Sequence, residues 1–260
     1  MALRVDLNCD CGEGFGVYAL GDDTAMLPLV TSCNVACGFH AGDPDVMAAT
    51  FALAQGSGVA AGAHPGFADR AGFGRRAFAV TNAEAERLVA YQIGAAAAVA
   101  GLAGLRLTHV KPHGALSNLA MGDEGLARAI ARASRAVDRG LAFLAVAGTA
   151  LQKGGEAVGL RTIPEVYADR GYTDEGLLAP RAEPGAVIHD PAKAAARVVR
   201  MVEEGAVTSL AGKRVPLRAE SICVHGDTPG AVALARAVRD ALVAAGIRLA
   251  AFAEPRATPS

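Results

Sequence analysis

Apolar, β-prone segments alternate along the chain with Ala-rich segments whose apolar positions recur at helical spacing. This pattern predicts strands near residues 3–8, 31–36, 58–63, 106–111, 141–146, 161–167 and 220–224, with an eighth near 247–252. It predicts helices near residues 43–56, 82–101, 123–137, 191–204 and 229–245, with shorter ones near 22–30 and 149–158. A strand-then-helix rhythm implies parallel strands joined by crossover helices.

Three of the predicted helices carry capping signals at their N-termini. Asp43 and Asp190 each precede a proline, which places a capping carboxylate before a proline in the first turn. Thr81, followed three residues later by Glu84, has the pattern of a capping box. These signals fix the helix starts independently of the apolar spacing.

The strand–helix units favour one closed domain. Seven or eight units fill 260 residues without a linker between them, and an α/β barrel commonly uses this length for a single domain. We therefore predict an α/β fold with a single β/α barrel domain over residues 1–253. Residues 205–218 are expected to form a hairpin, and residues 254–260 a frayed C-terminal tail.

Composition narrows the class of protein. Hydrophobic residues make up 52% of the chain, enough for a sizeable core, and the net charge of −1 gives no reason to expect nucleic acid or an anionic membrane as a partner. No apolar run of membrane-spanning length is free of glycine or charge, and the N-terminus lacks the features of a signal peptide. Five cysteines, an odd number, then favour a reduced, cytoplasmic protein.

Polar residues and glycines collect where each predicted strand ends and the next helix begins. In a parallel barrel these ends share one rim, where active sites form. The clusters contain Asp6, Asn8, Asp10 and Glu13; Asn34, His40 and Asp43; His64, Asp69, Arg70, Arg75 and Arg76; His109, Lys111 and His113; Glu165, Asp169, Arg170, Tyr172 and Arg181; and His225 and Asp227. A solvated salt bridge explains any one of these charges equally well. Their convergence on one rim favours a small-molecule site.

The segment HVKPHGAL places His109, Lys111 and His113 at every second position, so that a strand here would direct all three to one face. A buried lysine is costly unless it is paired, because burial penalises an unpartnered ammonium. Lys111 could pair with Asp10, Asp43 or Asp169, or contact an anionic substrate. We therefore predict a functional role for at least one of the three residues.

Metal and nucleophile chemistry have weaker support. Asp6, Asn8 and Asp10 could hold a divalent cation with His40 or His64, but no HExxH-like spacing supports this, and we assign no metal ligand. For Asp6, a structural carboxylate that accepts hydrogen bonds from loop amides at the barrel mouth is an equally good interpretation.

The remaining motifs do not indicate a zinc site, a serine nucleophile or a phosphate-binding loop. The pairs Cys9–Cys11 and Cys33–Cys37 fall on separate strands and are expected to be small, buried core residues. No GxSxG elbow is present. Gly212–Lys213 is followed by arginine and does not complete a GxxxxGK[ST] phosphate loop.

Taken together, the strand-end motifs resemble the LamB/YcsF family. The segments that carry the resemblance are DLNCDCGEGFG, NVACGFHAGDP, GAHPGFADRAGFGRR, HVKPHGAL, EVYADRGY with the following LLAPR, and CVHGDTPG, in this order from about residue 4 to 252. The resemblance implies an irregular (β/α)7-type barrel related to the glycoside hydrolase/deacetylase superfamily. One departure is visible, because Ser117 stands where the family usually has tyrosine.

The resemblance also implies a function. It implies the activity of the A subunit of a prokaryotic 5-oxoprolinase, which works with partner subunits B and C. Together they convert 5-oxo-L-proline, ATP and water into L-glutamate, ADP and phosphate. ATP is then a co-substrate, and because this chain lacks a phosphate loop, we expect the partners to contribute the activation while this chain opens the ring. Whether copies of the chain form a homo-oligomer, and whether ATP or a metal contacts it, stay open.

The chemistry of ring opening suggests roles for the clustered residues. Asp10, or else Glu13, would act as the general base, and Lys111 with Arg170 would hold an anionic group. Histidines would deliver a proton to the leaving nitrogen. The predicted catalytic residues are Asp10, Glu13, His64, Lys111 and His113. The predicted substrate-binding residues are Asp6, Asn8, His40, Asp43, His109, Asp169, Arg170, His225 and Asp227. The alternatives are a metal-dependent, deacetylase-like hydrolase and a non-catalytic component that delivers substrate to the complex.

Overall fold

Seven parallel strands close into a barrel in the computed structural model, which describes residues 3–254 and 256–257. The barrel strands are β1 (Arg4–Cys11), β2 (Ser32–Ala36), β3 (Ala60–His64), β4 (His109–Val110), β5 (Ala142–Val146), β6 (Thr162–Tyr167) and β7 (Ser221–Val224). They follow one another around the barrel in chain order, and β7 pairs with β1 from Asp6↔Ser221 to Cys9↔Val224 to complete the circle. The predicted (β/α)7-type barrel is confirmed.

Helices cover the outside of the barrel. They are α1 (Asp23–Met26), α2 (Pro44–Gly56), α3 (Asn82–Leu102), α4 (Gly114–Ala120), α5 (Glu124–Val137), α6 (Ala150–Ala157), α7 (Pro191–Glu204) and α8 (Ala231–Ala244). Short 3-10 turns occupy Leu27–Leu29 and Arg70–Gly72. Asp43 and Asp190 cap α2 and α7 through their side chains, and Thr81 forms the predicted capping box with Glu84.

Two short pairings lie outside the ring of seven strands. The predicted eighth strand is present as Arg248–Leu249, which pairs with Arg4 and Val5 at the start of β1 and does not enter the ring. The predicted hairpin is confirmed, with Ala206–Thr208 antiparallel to Arg214–Pro216.

The C-terminal tail differs in part from the expectation. Arg256–Ala257 pairs antiparallel with the short strand Leu105–Arg106, so this part of the predicted tail forms an ordered backbone pairing. Residues 255 and 258–260 lie outside the described residues.

The segment predicted as a strand over residues 106–111 is shorter and interrupted. Only His109–Val110 is a regular strand, although the N–H groups of Lys111 and His113 continue to donate to the backbone oxygens of Ala63 and Pro65. His113 is the N-cap of α4, a seven-residue helix that the apolar spacing did not predict. The side chains of His109, Lys111 and His113 nevertheless all point into the barrel interior, as their spacing predicts.

The first strand shows how the barrel separates its two buried environments. Val5, Leu7 and Cys9 belong to the apolar core between strands and helices. Asp6, Asn8 and Asp10 alternate with them and point into the barrel, where their partners lie on other strands. All five cysteines are free and buried, as predicted. Among the described helices, none has the length and apolar character needed to cross a bilayer.

Candidate active site at the barrel mouth

Asp6 occupies the lowest layer of the barrel interior. Its carboxylate accepts hydrogen bonds from the hydroxyls of Thr31 (2.6 Å), Ser32 (2.8 Å) and Ser221. Burial raises the pKa of Asp6 to about 6, although the three hydroxyl bonds oppose the shift. The partners are hydroxyls inside the barrel rather than the loop amides considered from the sequence, and they leave Asp6 no free face toward the mouth.

Asn8 and Asn34 form the next layer. The Asn8 amide donates to Glu165 Oε1 and Ser221 Oγ, both at 2.8 Å. The Asn8 oxygen accepts from Asn34 Nδ2 at 2.8 Å, and the same Asn34 nitrogen lies 2.8 Å from Asp10 Oδ1. These bonds cross from β1 to β2 and β6, so they connect side chains on both sides of the barrel.

His109 completes this layer from β4. Its Nε2 lies 2.8 Å from Asn34 Oδ1 and its Nδ1 lies 2.8 Å from the Thr108 hydroxyl. Burial lowers the pKa of His109 to about 3, so the ring is neutral. A Cβ on Gly62 would lie 2.4 Å from the imidazole, which explains why a glycine stands opposite this ring.

Lys111 lies above this layer, and its side chain is only 3% exposed. Its ammonium contacts Asp10 Oδ1 at 2.8 Å, Cys223 Sγ at 3.0 Å and Glu165 Oε1 at 3.1 Å. Burial alone would lower the pKa of Lys111, but these negative partners outweigh it and hold the pKa well above its usual range. Of the three carboxylates considered as partners from the sequence, Asp10 is the one that Lys111 contacts, whereas Glu165 was not assigned to the site.

Asp10 connects Lys111 to a pair of histidines. His64 Nε2 lies 3.4 Å from Asp10 Oδ2 and 3.1 Å from His113 Nδ1. Burial raises the pKa of the Asp10 carboxyl, but His64 and Lys111 outweigh it, so that the pKa lies well below its usual range. Asp10 is therefore ionised and occupied by donors, which makes it a weak base.

Backbone carbonyls hold the outer nitrogens of both histidines. His64 Nδ1 lies 2.7 Å from the Lys111 oxygen, and His113 Nε2 lies 2.8 Å from the Phe73 oxygen. Phe73 is a non-glycine residue with a left-handed backbone, at φ 53°. This strained conformation occurs directly beside the site, as is common where backbone geometry serves a function.

Two further buried groups adjoin these histidines. The His40 ring stacks on His113 with centroids 3.8 Å apart and planes 5° apart. Among the described residues, neither nitrogen of His40 nor Oε1 of Glu13 has a hydrogen-bond partner. Burial lowers the pKa of His40 and raises that of Glu13 well above its usual range, and the nearby Asp10 raises the latter further. A carboxyl that retains its proton at neutral pH is a poor general base, which weighs against the role predicted for Glu13.

A cavity of about 550 Å³ opens above Lys111. Its charged and titratable lining consists of Asp10, His64, Arg75, Lys111, His113, Arg170, Arg181 and His225. Four of these side chains are cationic and one is a carboxylate. Carboxylates behind the lining, among them Glu165 and Asp227, offset part of this charge, and the cationic side chains that face the cavity suit a small anionic ligand.

His225 lines the cavity and is oriented by a carboxylate. Its Nδ1 lies 2.7 Å from Asp169 Oδ2, which fixes the proton on Nδ1 and leaves Nε2 as an acceptor, 3.3 Å from Arg181 Nη2. A histidine held in this way has the arrangement of a general base. Arg75, which also lines the cavity, forms an ion pair with Asp227 at 2.6 Å.

The predicted site residues separate into several groups. Asp10, His64, Lys111, His113, Arg170 and His225 line the cavity together. The others lie behind or below it: Glu13 and His40 beside the histidine pair, Asp6, Asn8 and His109 in the lower layers, Asp169 and Asp227 as partners of lining residues, and Asp43 at the start of α2. Substrate contact by this second group stays a prediction.

The cavity also contains residues that the sequence did not assign. Arg75, Arg181 and Tyr167 line it, and so does Ser117 from α4, the position that departs from the family pattern. Arg75 and Arg181 occur in the strand-end segments, so their position was a usable signal. Tyr167 ends an apolar strand, where nothing in the spacing distinguishes a lining residue from a core residue.

Comparison with known proteins gives full-length matches. The 5-oxoprolinase A subunit of Rhodopseudomonas palustris (strain BisB18) is 59% identical over 250 residues, which cover 96% of this chain and 98% of that protein. The 5-oxoprolinase A subunit of Gluconobacter oxydans (strain 621H) is 53% identical over 251 residues, which cover 96% and 99%. A family model for the LamB/YcsF family matches residues 5–257.

Solved structures agree with the sequence matches. The lactam utilization protein from Thermus thermophilus superposes with a TM-score of 0.91 at 48% identity, over 96% of this chain and 100% of that one. A putative cellobiose-phosphate cleavage protein from Enterococcus faecalis V583 shares the fold alone, with a TM-score of 0.55 at 13% identity over 96% and 97% of the two chains. The family match and the close relatives span nearly the whole chain, and the chain therefore belongs to the LamB/YcsF family.

Proposed function

We propose that this chain is the A subunit of an ATP-dependent 5-oxoprolinase, which opens the lactam ring of 5-oxo-L-proline to L-glutamate together with partner subunits B and C. The observation that carries the proposal is the cavity, whose lining has four cationic side chains and one carboxylate. The substrate is a small ring with one carboxylate, and the cavity volume of about 550 Å³ leaves room for a transferred phosphoryl group. The names of the full-length relatives support the same activity.

The arginines at the mouth supply anion recognition. Arg75 and Arg181 both line the cavity, where Asp227 binds the first and His225 contacts the second. A guanidinium presents several parallel N–H groups to a carboxylate or a phosphoryl group. Arg170 is a weaker candidate, because it donates to the backbone oxygens of Ala179 and Ala186.

Lys111 stabilises the negative charge that develops on the oxygen of the added water once the lactam oxygen carries the phosphoryl group. Its ammonium has three N–H groups, and the Cys223 thiol is the weakest of its acceptors. An oxyanion in the cavity is a stronger acceptor and displaces the thiol, while Asp10 and Glu165 keep the ammonium in place.

His225 is the general base that the geometry favours. Asp169 fixes its tautomer, and its Nε2 accepts a proton from the attacking water. The same nitrogen then returns the proton to the ring nitrogen as the C–N bond breaks. This assignment replaces Asp10, which the sequence favoured, because the Asp10 carboxylate already accepts from Lys111 and Asn34.

ATP activates the lactam, and the partner subunits carry out this step. A phosphoryl group on the lactam oxygen makes the ring carbon electrophilic. Water adds to that carbon, the ring C–N bond breaks, and a second water hydrolyses the resulting acyl phosphate to glutamate and phosphate. The absence of a GxxxxGK[ST] motif from this sequence supports the assignment of phosphoryl transfer to the partners.

Reconstitution of the three subunits, with every pairwise omission, tests the proposal. We expect glutamate formation from 5-oxoproline only in the complete mixture. Lys111→Ala and His225→Gln should each lower kcat/KM by at least about 100-fold. The exposed Lys153→Ala is the matched control and should leave activity unchanged.

Assembly must be measured in parallel, by gel filtration of each mixture. Full activity of the assembled Lys111→Ala and His225→Gln complexes would refute the assigned roles. Turnover by the B and C subunits alone at high substrate concentration would instead limit this chain to delivering substrate.

A further inference from the structure

We propose that the buried group formed by His64, His113, His40 and Glu13 is a binding site for one first-row divalent cation of the Zn²⁺ class. His64 Nε2 and His113 Nδ1 form the central ligand pair, and His40 and Glu13 supply the further donors. The inference stands whether or not the chain acts on a lactam. We call these four residues the histidine group.

The hydrogen bonds of His64 and His113 support their assignment as the central ligand pair. A carbonyl oxygen accepts only, so the bonds to the Lys111 and Phe73 oxygens place protons on His64 Nδ1 and His113 Nε2. Without a further proton the two inner nitrogens are both acceptors, and they face each other at 3.1 Å, with Asp10 Oδ2 3.4 Å from His64 Nε2. Two lone pairs at this distance repel each other, and a cation between them removes the repulsion.

The outer bonds are those that metal-bound histidines make. A ligating imidazole typically donates its other N–H to a backbone carbonyl or a carboxylate, which fixes the tautomer and the ring orientation. His64 and His113 both do so. The separation of 3.1 Å also matches two adjacent ligands on one ion with bonds of about 2.1 Å.

The further donors are buried without partners. His40 is 1% exposed and Glu13 is 6% exposed, and among the described residues neither His40 nitrogen nor Glu13 Oε1 has a hydrogen-bond partner. Buried polar atoms normally have partners, since each missing bond leaves the cost of burial uncompensated. A ligand atom from each of the four residues lies within 4.8 Å of the others. Because His40 is stacked on His113 and an imidazole lone pair lies in its ring plane, His40 binds the same ion only after its ring turns out of the stack.

The fold brings the four residues of the histidine group close together. The four residues follow β1, β2, β3 and β4, so that four neighbouring strand ends converge on it. A Cβ on Gly66 would lie 2.7 Å from His40 Nδ1, and one on Gly74 would lie 2.7 Å from His40 Cβ and 2.8 Å from His113 Cδ2. Larger residues at these glycines would force the rings apart, so the close packing depends on both.

The donor chemistry selects the ion. Three imidazole nitrogens and one carboxylate suit Zn²⁺ and its first-row neighbours, whereas Mg²⁺ and Ca²⁺ require mainly oxygen ligands. His64 and His113 also line the cavity, so a bound ion is within reach of a molecule held there. An ion at this place can polarise a carbonyl oxygen or lower the pKa of a bound water.

Metal binding to the isolated chain tests the inference. After chelator treatment and buffer exchange, Zn²⁺ and Co²⁺ are titrated by calorimetry, and Co²⁺ also by visible absorption. We expect one saturable ion per chain, imidazole-type Co²⁺ bands and no binding of millimolar Mg²⁺. Glu13→Gln and His40→Phe should each weaken binding by at least about 10-fold, whereas His189→Phe, outside the histidine group, should not.

Two outcomes would overturn the inference. One is the absence of stoichiometric binding by a wild-type chain that circular dichroism shows to be folded, which would leave a shared proton between His64 and His113. The other is binding that survives Glu13→Gln and His40→Phe but is lost in His225→Gln, which would place the ion at the separate group of Asp10, Cys223 and His225. Both readouts use binding alone, so failure of the 5-oxoprolinase assay does not affect them.

Discussion

The lower barrel interior and the histidine group are both buried and polar, yet they differ in their hydrogen bonding. In the lower interior, Asp6, Asn8 and His109 find partners on neighbouring and opposite strands. In the histidine group, His40 and Glu13 retain buried atoms without partners among the described residues.

This difference separates structural polarity from functional polarity. A fully bonded network compensates its own desolvation and rigidifies the barrel, and it needs no ligand. A partly bonded group keeps the uncompensated free-energy cost of burying its unpartnered polar atoms, and a bound cation or another ligand can remove that cost. The titratable groups at a barrel mouth are therefore best ranked as functional candidates by the hydrogen-bond partners that their buried atoms lack.

Removal of Lys111 should have the largest effect, because this residue joins the two regions. Lys111→Met leaves Asp10 and Glu165 buried without their cation, and we expect the free energy of unfolding to fall by about 3–5 kcal/mol. Urea denaturation measures the loss, with the exposed Lys153→Met as the matched control. A loss equal to that of the control would show that the carboxylates do not depend on Lys111.

Asp6 should make the stability of the lower interior depend on pH. Its pKa in the folded protein is about 6, above the ordinary value of 3.8, so its stabilising contribution is fully present below about pH 4 and is lost as the pH rises through 6. Relative to Asp6→Asn, the wild type should lose about 3 kcal/mol of unfolding free energy between pH 4 and pH 7. Parallel stability curves for the two proteins would contradict the raised pKa.

Replacing one histidine in each region compares the regions directly. His109→Phe deprives Asn34 and Thr108 of their partner, and we expect a loss of about 2 kcal/mol. His40→Phe keeps the stacking on His113 and removes two unpartnered nitrogens, so in metal-free buffer the protein should be as stable as the wild type or more so. Equal destabilisation in the two variants would remove the distinction between the regions.

The smallest effect concerns Asp43, which was predicted to bind substrate. Its carboxylate caps α2 through the N–H groups of Asp45 and Val46, so Asp43→Ala should cost about 1 kcal/mol. Asp190→Ala removes the corresponding cap of α7 and is the matched control. Asp43→Ala should give a somewhat larger thermal shift than the control, because Asp43 also accepts from the Gly16 N–H, and its KM for 5-oxoproline should be unchanged. A raised KM in Asp43→Ala alone would restore the substrate role.

The sequence predicts the parts of this molecule that depend on local spacing. Capping residues located the starts of α2, α3 and α7, and alternation in β1 placed Asp6, Asn8 and Asp10 on one face. The pairing of Lys111 with Asp10 followed from the cost of a buried ammonium. Each of these inferences needs only the neighbouring residues or a general energetic rule.

What the sequence did not predict depends on distances across the barrel. Glu165 meets Lys111 from β6, and no local pattern indicates which strands face each other. The regular spacing of His109, Lys111 and His113 suggested one strand, whereas the regular strand covers only His109–Val110 and His113 is the N-cap of α4. The unpartnered atoms of His40 become visible only when all surrounding residues are in place.

The double pairing of β1 has a consequence for synthesis of the protein. Its first residues pair with Arg248–Leu249 and its next residues with β7, so both closing contacts come from the last forty residues of the chain. A chain emerging from the ribosome carries an open, curved sheet until these residues appear. Its interior carboxylates and Lys111 stay hydrated throughout elongation, and their charges are withdrawn from water only when the two ends of the chain meet.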